Sequence, residues 1–300
     1  MNSRTLLNLA LLILVGVGAM VVVYLPGLEK PAAQVALTTL NPTQVTRIQI
    51  LRSGQPEIQL VKQGQGWIMT APFKLPANAE HVGSLVALAQ APSLERFAVK
   101  PQDLDKFKLA EPRVRLRLND TEIAFGDTEA LAQRRYVLVG DTLHLVNEMV
   151  YDKLNATPTM WVSTMLLPPD SKLRELALPG MALIQQADGH WNLTPHTTDV
   201  SMDAINTLID EWTRAQALQV KPYESATAQG TVVMRLQASE NPVSFEITAR
   251  VPELVLARPE SGVQYHLPAE LAERLLKLPL PETAPESGNA VNHEATPHVH

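Results

Sequence analysis

One stretch of this chain occurs twice, and the repetition limits the folds that the sequence allows. Gly66–Thr70 reads GWIMT, and His190–Thr194 reads HWNLT. The two tryptophans are 124 residues apart (191 minus 67). A segment of about this length is in the size range of one domain and is too long for the period of a typical solenoid. The sequence therefore predicts two copies of one unit.

The residues around the two tryptophans recur in the same order. Alternating segments that predict strands precede each of them, at Val45–Ile50 and Ile58–Val61 and again at Leu173–Leu178 and Ala182–Gln185. A helix with an N-cap follows each, because Asn78 and Ser201 both stand four residues before an apolar stripe. The stripes are Val82, Leu85, Val86 and Ala89 in the first copy and Ile205, Leu208, Ile209 and Trp212 in the second.

The second part of each copy is also predicted to be rich in strands. In the first copy we predict strands at Val114–Leu118 and Ile123–Asp127, a hairpin over Tyr136–Val146 and a short helix that contains Val150 and Leu154. The counterparts are Val232–Leu236, Pro242–Ile247, Leu254–Leu267 and a helix with Leu271 and Leu275. The predicted fold class is α+β, with two tandem β-rich repeats, each a mostly antiparallel sheet with one or two covering helices.

An uncharged stretch near the N-terminus predicts a transmembrane helix. Leu6–Leu25 carries no charged residue, and 20 residues in a helix extend about 30 Å, the thickness of the hydrocarbon core of a bilayer. A cleaved signal peptide is the alternative, but its apolar region is usually shorter and ends in small residues. Arg4 favours a cytoplasmic N-terminus, so we expect a single-pass protein of the bacterial inner membrane with most of the chain in the periplasm.

These features divide the chain into segments. We predict a cytoplasmic N-terminus over 1–5, a transmembrane signal anchor over 6–25 and a linker over 26–37. The two repeats are expected at 38–158 and 159–280, and the proline- and glutamate-containing tail at 281–300 is predicted to be disordered.

Charge and composition exclude several classes of function. The formal net charge is −6 and no cluster of Lys or Arg is present, so we expect no nucleic-acid partner. The chain has no cysteine, which excludes disulfides, thiolate metal sites and cysteine nucleophiles. A nucleophile elbow, a Walker loop and an H-E-x-x-H pair are also absent, so we predict no catalytic residues and no cofactor.

A few residues admit a functional interpretation beside a structural one. Arg113, Arg115 and Arg117 alternate with apolar residues and are interpreted as a solvated or salt-bridged face, with anion binding as the alternative. Gly64 and Gly66 predict a hairpin turn, because the third glycine and the helix of a dinucleotide loop are missing. The histidines His190 and His196 are expected in turns, and His293, His298 and His300 of the tail are not expected to form a specific metal site. Trp67 and Trp191 are predicted to pack in the core against the helix that follows.

Part of the chain resembles a known bacterial family. Phe107–Pro112 (FKLAEP), with Trp67 before it and Ile123–Asp127 (IAFGD) and then Tyr136 after it, is similar to the pattern of the domain-of-unknown-function 4340 proteins. Lys108 stands where that family usually has glycine, and the second repeat has no clear equivalent of this segment. The resemblance extends from about Thr38 to Leu280. It implies a membrane anchor and, because some members are encoded beside transport or export machinery, an accessory role in the envelope.

Together these observations predict a non-catalytic, membrane-anchored periplasmic protein that is an accessory or scaffold of an envelope assembly, possibly related to transport. The expected partners are the inner membrane, through residues 6–25, and another envelope protein. The alternatives are a ligand-binding module, with a cleft for glycan or peptide between the two repeats, and a hydrolase with an unrecognised site.

Overall fold

The computed structural model describes residues 12–15, 20, 35–130, 133–147, 151–196 and 200–279. The predicted N-terminus 1–5, most of the predicted anchor 6–25 and linker 26–37, and the predicted tail 281–300 lie outside the described residues. Residues 12–15 and residue 20 are helical. No helix of the described residues is both long enough and apolar enough to cross a membrane.

The first sheet has nine strands in the order β5-β4-β3-β2-β8-β9-β10-β11-β7, and neighbouring strands are antiparallel. Its strands are β2 (Arg47–Arg52), β3 (Ile58–Gln63), β4 (Gly66–Ala71), β5 (Leu75–Pro76), β7 (Glu95–Ala98), β8 (Val114–Leu118), β9 (Thr121–Thr128), β10 (Arg134–Val139) and β11 (Thr142–Asn147). Two further short strands, β1 (Val35–Ala36) and β6 (Pro92–Ser93), pair with each other.

The second sheet has eight strands in the order β14-β13-β12-β16-β17-β18-β19-β15, and its neighbouring strands are also antiparallel. Its strands are β12 (Leu173–Leu178), β13 (Met181–Gln185), β14 (Trp191–Thr194), β15 (Gln219–Pro222), β16 (Thr231–Leu236), β17 (Val243–Ala249), β18 (Glu253–Arg258) and β19 (Val263–Pro268). From β14 to β15 the order matches that of the first sheet from β4 to β7. The antiparallel sheets predicted from the sequence are therefore present.

Four α-helices accompany the sheets: α1 (Ala79–Leu88), α2 (Tyr151–Leu154), α3 (Met202–Arg214) and α4 (Glu270–Leu276). The predicted N-caps are confirmed, because the side chain of Asn78 accepts from the N–H of His81 at 3.1 Å and that of Ser201 accepts from the N–H of Ala204 at 3.1 Å. Short 3-10 segments begin with proline, whose fixed φ favours the first helical turn. They are Pro42–Gln44, Pro101–Phe107, Pro158–Trp161 and Pro259–Ser261.

One cluster of buried apolar side chains extends through both sheets. On the inner face of the first sheet, Ile48 and Leu116 are 0% exposed and lie beneath α1, which buries Val82, Leu85 and Leu88. Trp212 of α3 and Tyr265 of β19 belong to the same cluster in the second half, where the indole N–H of Trp212 donates to the carbonyl of Leu275 at 2.8 Å.

The start of the folded region differs from the predicted boundary at residue 38. Val35–Ala36 is a strand rather than part of the predicted linker 26–37, and Leu37 is buried. The N–H of Leu37 donates to the carbonyl of Ala91, just after α1, at 2.8 Å. The apolar residues Val35, Ala36 and Leu37 are too short a run for a periodicity to show, so the sequence did not reveal this pairing.

The segment Trp161–Leu166 contacts both halves and begins just after the predicted boundary at 158/159. Towards the first half, the N–H of Asn78 donates to the carbonyl of Trp161 and the N–H of Ser163 donates to the carbonyl of Pro76, both at 2.8 Å. Towards the second half, the N–H of Leu166 donates to the carbonyl of Ala215 at 3.1 Å. We call Trp161–Leu166 the shared segment, because it provides backbone partners to both halves.

Candidate functional site

The residues that the sequence singled out mostly have structural partners. Arg115 and Arg117 lie on the solvent side of β8 and both contact Glu122, at 3.6 Å and 2.6 Å, which is the salt-bridged face expected for them. Gly64 has a φ of 56° in the turn between β3 and β4, so these glycines form a hairpin turn. These contacts leave little of the predicted arginine row free to bind an anion.

The two repeated tryptophans are less buried than predicted. Trp67 and Trp191 are half-buried at the margin of the core, whereas Trp161 and Trp212 are fully buried. Trp67 does lie beside the helix that follows it, because it lines a shallow cavity of about 540 Å³ together with Gly83 and Val86 of α1. The predicted packing against the following helix is therefore confirmed for Trp67, and both tryptophans pack against the core but are only partly buried.

The histidines of the described residues are held by hydrogen bonds or lie at the surface. The Nδ1 atoms of His81, His144 and His266 lie 2.8, 2.9 and 2.7 Å from Met160 O, Ser93 Oγ and Glu253 Oε2, respectively. His190 and His196 are exposed, as expected for turns, and His293, His298 and His300 lie outside the described residues. Among the described residues, no three His, Asp or Glu side chains form a group that could hold a metal ion.

The 3-10 segment Pro101–Phe107 and the residues after it cover the outer face of the first sheet, opposite α1, over β9, β10 and β11. A second, smaller apolar cluster lies there, in which Leu109, Ala124 and Leu143 are buried. The rings of Phe107 and Tyr136 pack with their centroids 4.7 Å apart. Most of the residues that carry the family resemblance thus meet at one place in the fold, whereas Trp67 lies beside α1.

Gly126 allows this segment to approach the sheet closely. A Cβ atom on Gly126 would lie 2.3 Å from the carbonyl oxygen of Phe107 and 2.8 Å from Cγ of Leu109. Lys108, between those two residues, takes the left-handed conformation with φ of 56° and ends the 3-10 segment. Glycine adopts that conformation most readily, which gives a physical reason why the related family usually has glycine where this chain has Lys108.

A groove lies between this covering segment and β7, the last strand of the sheet. It has a volume of about 520 Å³. We call it the β7 groove and define it by its lining residues: Glu95, Phe97, Ala98, Val99, Lys100, Asp103, Lys106, Phe107, Glu129, Tyr136, Leu143 and Leu145. Its size is within the usual range for ligand pockets, and polar and apolar side chains line it in about equal measure.

Ion pairs neutralise most of the charges around the β7 groove. The guanidinium of Arg134 binds Glu129 through two hydrogen bonds of 2.6 and 2.8 Å and binds Glu95 at 2.6 Å. The hydrogen bonds from Arg134 lower the pKa of the Glu129 carboxyl, and those carboxylates raise the pKa of Arg134. Lys106 binds Asp103 at 2.6 Å.

The second half does not repeat the β7 groove. In place of Pro101–Phe107, the residues after β15 continue as irregular chain, and the N–H of Glu224 donates to the side-chain oxygen of Gln264 at 3.2 Å. The outer face of β19 carries Gln264 and His266, both of them polar and buried, whereas β11 carries Leu143 and Leu145. The groove is thus a feature of the first half.

Three further cavities are also lined by one half alone. They lie beside Trp67 in the first half, around Arg135 and Tyr151 in the first half, and between α3 and α4 in the second half. Neither these cavities nor the β7 groove corresponds to the cleft between two repeats that the sequence offered as an alternative.

A model of one protein family matches residues 67–240, and its description is "Domain of unknown function (DUF4340)". The matched range begins at β4, includes the β7 groove and the shared segment, and ends just after β16. No curated protein and no solved structure matches the chain.

Proposed function

We propose, from the premise that this chain belongs to the DUF4340 family, that it is a non-catalytic accessory or scaffold protein of the bacterial cell envelope. The observation that carries the proposal is the β7 groove with its open edge strand. This surface is present in one half alone, it exposes aromatic and aliphatic side chains, and its charged groups are largely paired with each other. These properties suit the binding of a protein segment better than chemical catalysis.

The two halves are, we infer, tandem copies of one α+β unit. The support is their common strand order, the offset of 124 residues between Trp67 and Trp191, and the N-caps at Asn78 and Ser201. The first residues of the two copies also make equivalent backbone hydrogen bonds. Leu37 donates to Ala91 after α1, and Leu166 donates to Ala215 after α3. In this view the copies begin near residues 35 and 164.

The proposed membrane anchor and location rest on the sequence alone. Residues 6–25 carry no charge over a length that spans a bilayer, and Arg4 precedes them, so the proposal places the folded region in the periplasm with a single pass through the inner membrane. A reporter enzyme that is active only in the periplasm, fused after Leu280, is expected to be active. A reporter that works only in the cytoplasm is the control, and its activity at the same position would contradict the orientation.

Co-purification tests the scaffold role. The full chain, tagged at its C-terminus and extracted from membranes with several mild detergents, is expected to carry one envelope protein at a constant ratio by quantitative mass spectrometry. An unrelated single-pass protein with the same tag is the control. Recovery of the chain alone from every detergent would contradict the scaffold role.

A further inference from the structure

We propose that β7 and the β7 groove bind an extended, acidic segment of a partner protein, which pairs with β7 as an additional strand and inserts an apolar side chain beside Phe97. This inference rests on the proposed scaffold role and specifies where, and by which chemistry, the partner is held.

The first argument is that β7 is an open edge. It lies at the end of the nine-stranded sheet and, within the described part of the chain, pairs with β11 alone. All four of its residues, Glu95–Ala98, are exposed. Proteins usually protect such edges with charged side chains, proline, short strands or a covering segment. β7 is short and carries Glu95 and Arg96, but it contains neither lysine nor proline. Its counterpart in the second half, β15, ends in Pro222. An open edge provides backbone donors and acceptors for one more strand.

The second argument is the apolar surface next to this edge. Phe97 is 46% exposed and Leu94 is 44% exposed. Phe97 lies opposite Leu143 in the β7–β11 pairing, on the outer face where Phe107 and Tyr136 pack. An apolar side chain of an added strand would lie next to Phe97 in this groove and would bury surface that is now in water.

The third argument is the sign of the charges left without partners. Glu95 and Glu129 are bound by Arg134, and Asp103 is bound by Lys106. Arg96 and Lys100 make no ion pair within the described residues. Counted together, Arg134, Lys106, Arg96 and Lys100 carry four positive charges and Glu95, Glu129 and Asp103 carry three negative ones, so the net charge around β7 is +1, although the whole chain has a net charge of −6. A segment with carboxylates would be steered to this edge, and a basic segment would be repelled.

The spacing of the charges gives the expected pattern of the partner segment. Neighbouring residues of a strand point to opposite faces, so Phe97 and Arg96 interact with adjacent residues of the added strand. The partner segment should place an acidic residue directly next to its apolar anchor. A second acidic residue should lie within reach of Lys100. Main-chain pairing would supply affinity, and these side chains would supply specificity.

Site-specific cross-linking in intact cells tests the location. A photoreactive phenylalanine analogue replaces Phe97 in the full chain, and the matched control replaces Val251, an apolar residue of the second half that is 81% exposed. We expect an adduct with a different protein at position 97 and none at position 251. The peptide cross-linked at position 97 is expected to be acidic and to have the sequence pattern of a β-strand.

Each other outcome of this experiment has a defined meaning. An adduct of twice the mass of the chain, or a cross-link within one chain to residues 281–300, would overturn the proposed occupant. An adduct at position 251 but not at 97 would overturn the β7 site and leave the scaffold role intact. No adduct at either position would also overturn the β7 site, whereas recovery of the chain alone in the co-purification experiment would contradict the scaffold role itself.

Defined peptides test the chemistry without knowledge of the partner. The probe is a fluorescein-labelled octapeptide of alternating valine and glutamate with one central phenylalanine, and the control has lysine in place of glutamate. The full chain in detergent is expected to bind the acidic probe at least tenfold more tightly by fluorescence anisotropy. The double change Arg96→Glu and Lys100→Glu should reverse this preference, whereas Arg174→Glu, an exposed change on β12, should leave it unaltered. Equal binding of both probes, or an unchanged preference in the double variant, would overturn the proposal.

Discussion

Gly126 and Lys108 show how single backbone positions shape the covering segment of the first sheet. Gly126 leaves room for the carbonyl of Phe107 and the side chain of Leu109, and Lys108 turns the chain between them. Lysine in the left-handed region is less favourable than glycine by about 1 kcal/mol. The N–H of Lys108 donates to Asp105 and that of Leu109 donates to Leu104, which stabilises the turn.

The change Gly126→Ala is expected to lower the free energy of unfolding by about 1–3 kcal/mol, because a methyl group at this place would force the backbone of Phe107 away from the sheet. Gly83→Ala is the matched control. Nothing lies within 4 Å of a Cβ atom at Gly83, and alanine is the better helix former, so this change should raise the free energy of unfolding by about 0.5–1 kcal/mol. Urea denaturation measures both. Equal effects of the two changes would contradict the close approach at Gly126.

His144 is a buried titratable residue that is expected to make the stability of the protein depend on pH. It is 6% exposed on the inner face of β11 and contacts Ser93 Oγ through Nδ1. Burial, together with the charge of Arg96, lowers the pKa of His144 from its ordinary value. The unfolded chain therefore binds more protons at this position than the folded chain at mildly acidic pH.

We expect the free energy of unfolding to fall as the pH decreases from 7 to 5, because the imidazole of His144 takes up a proton more readily after unfolding. Above pH 7 the imidazole is neutral in both states and contributes no dependence. The variant His144→Asn should show a smaller fall across this window, measured by urea denaturation at a series of pH values. A variant as pH-sensitive as the parent chain would show that His144 does not carry the effect.

At the scale of elements, the helices illustrate what the sequence can predict. Asn78 and Ser201 were recognised because a polar residue at a fixed distance before an apolar stripe is a local signal. α1 buries Val82, Leu85 and Leu88, and α3 buries Ile205, Leu208 and Trp212. Such periodic patterns depend on neighbours in the chain and need no knowledge of distant contacts.

The helix caps can be compared directly. Asn78→Ala and Ser201→Ala are each expected to reduce the free energy of unfolding by about 1 kcal/mol, because each leaves one helical N–H group without its side-chain acceptor. The changes Asn78→Asp and Ser201→Asp keep an acceptor and should restore most of the loss. If the alanine variants unfold at the same urea concentration as the parent chain, the caps do not contribute to stability.

The covering of the outer face could not be predicted in the same way. The contact between Phe107 and Tyr136 joins residues that are far apart in sequence. Phe107 ends the 3-10 segment Pro101–Phe107, whose sequence has no strong periodicity that would predict its position. Leu143–Val146 is buried on both faces of β11. Its sequence LHLV contains His144, so no continuous apolar run indicated the second cover. The β7 groove lies between this covering segment and β7. Because the sequence does not predict the covering segment, it does not predict the groove either.

At the scale of the whole molecule, the two halves share one core. The cluster of buried residues continues from the first sheet through Trp161, Val162, Leu166 and Leu167 to the second. Trp161 is 0% exposed and lies edge-on against His81, with ring centroids 5.9 Å apart. Cooperative unfolding of both halves is the expected result of such continuity.

Replacing Trp161 with alanine is expected to destabilise both halves together, by about 3–5 kcal/mol, because a large cavity would open in the shared core. Native-state hydrogen exchange measured by mass spectrometry provides the readout. Protection of β3 in the first half and of β13 in the second should fall by the same factor. A loss of protection confined to one half would show that the two sheets unfold as separate units.

The shared segment also has an evolutionary consequence. The backbone of Trp161 and Ser163, which lies after the first half in the chain, completes that half at Asn78 and Pro76. A gene that ended at residue 158 would encode a first half with these peptide groups uncovered and without the buried indole of Trp161. Under the proposed duplication, loss of the second copy would therefore also damage the first, so that the two copies would be inherited as one unit.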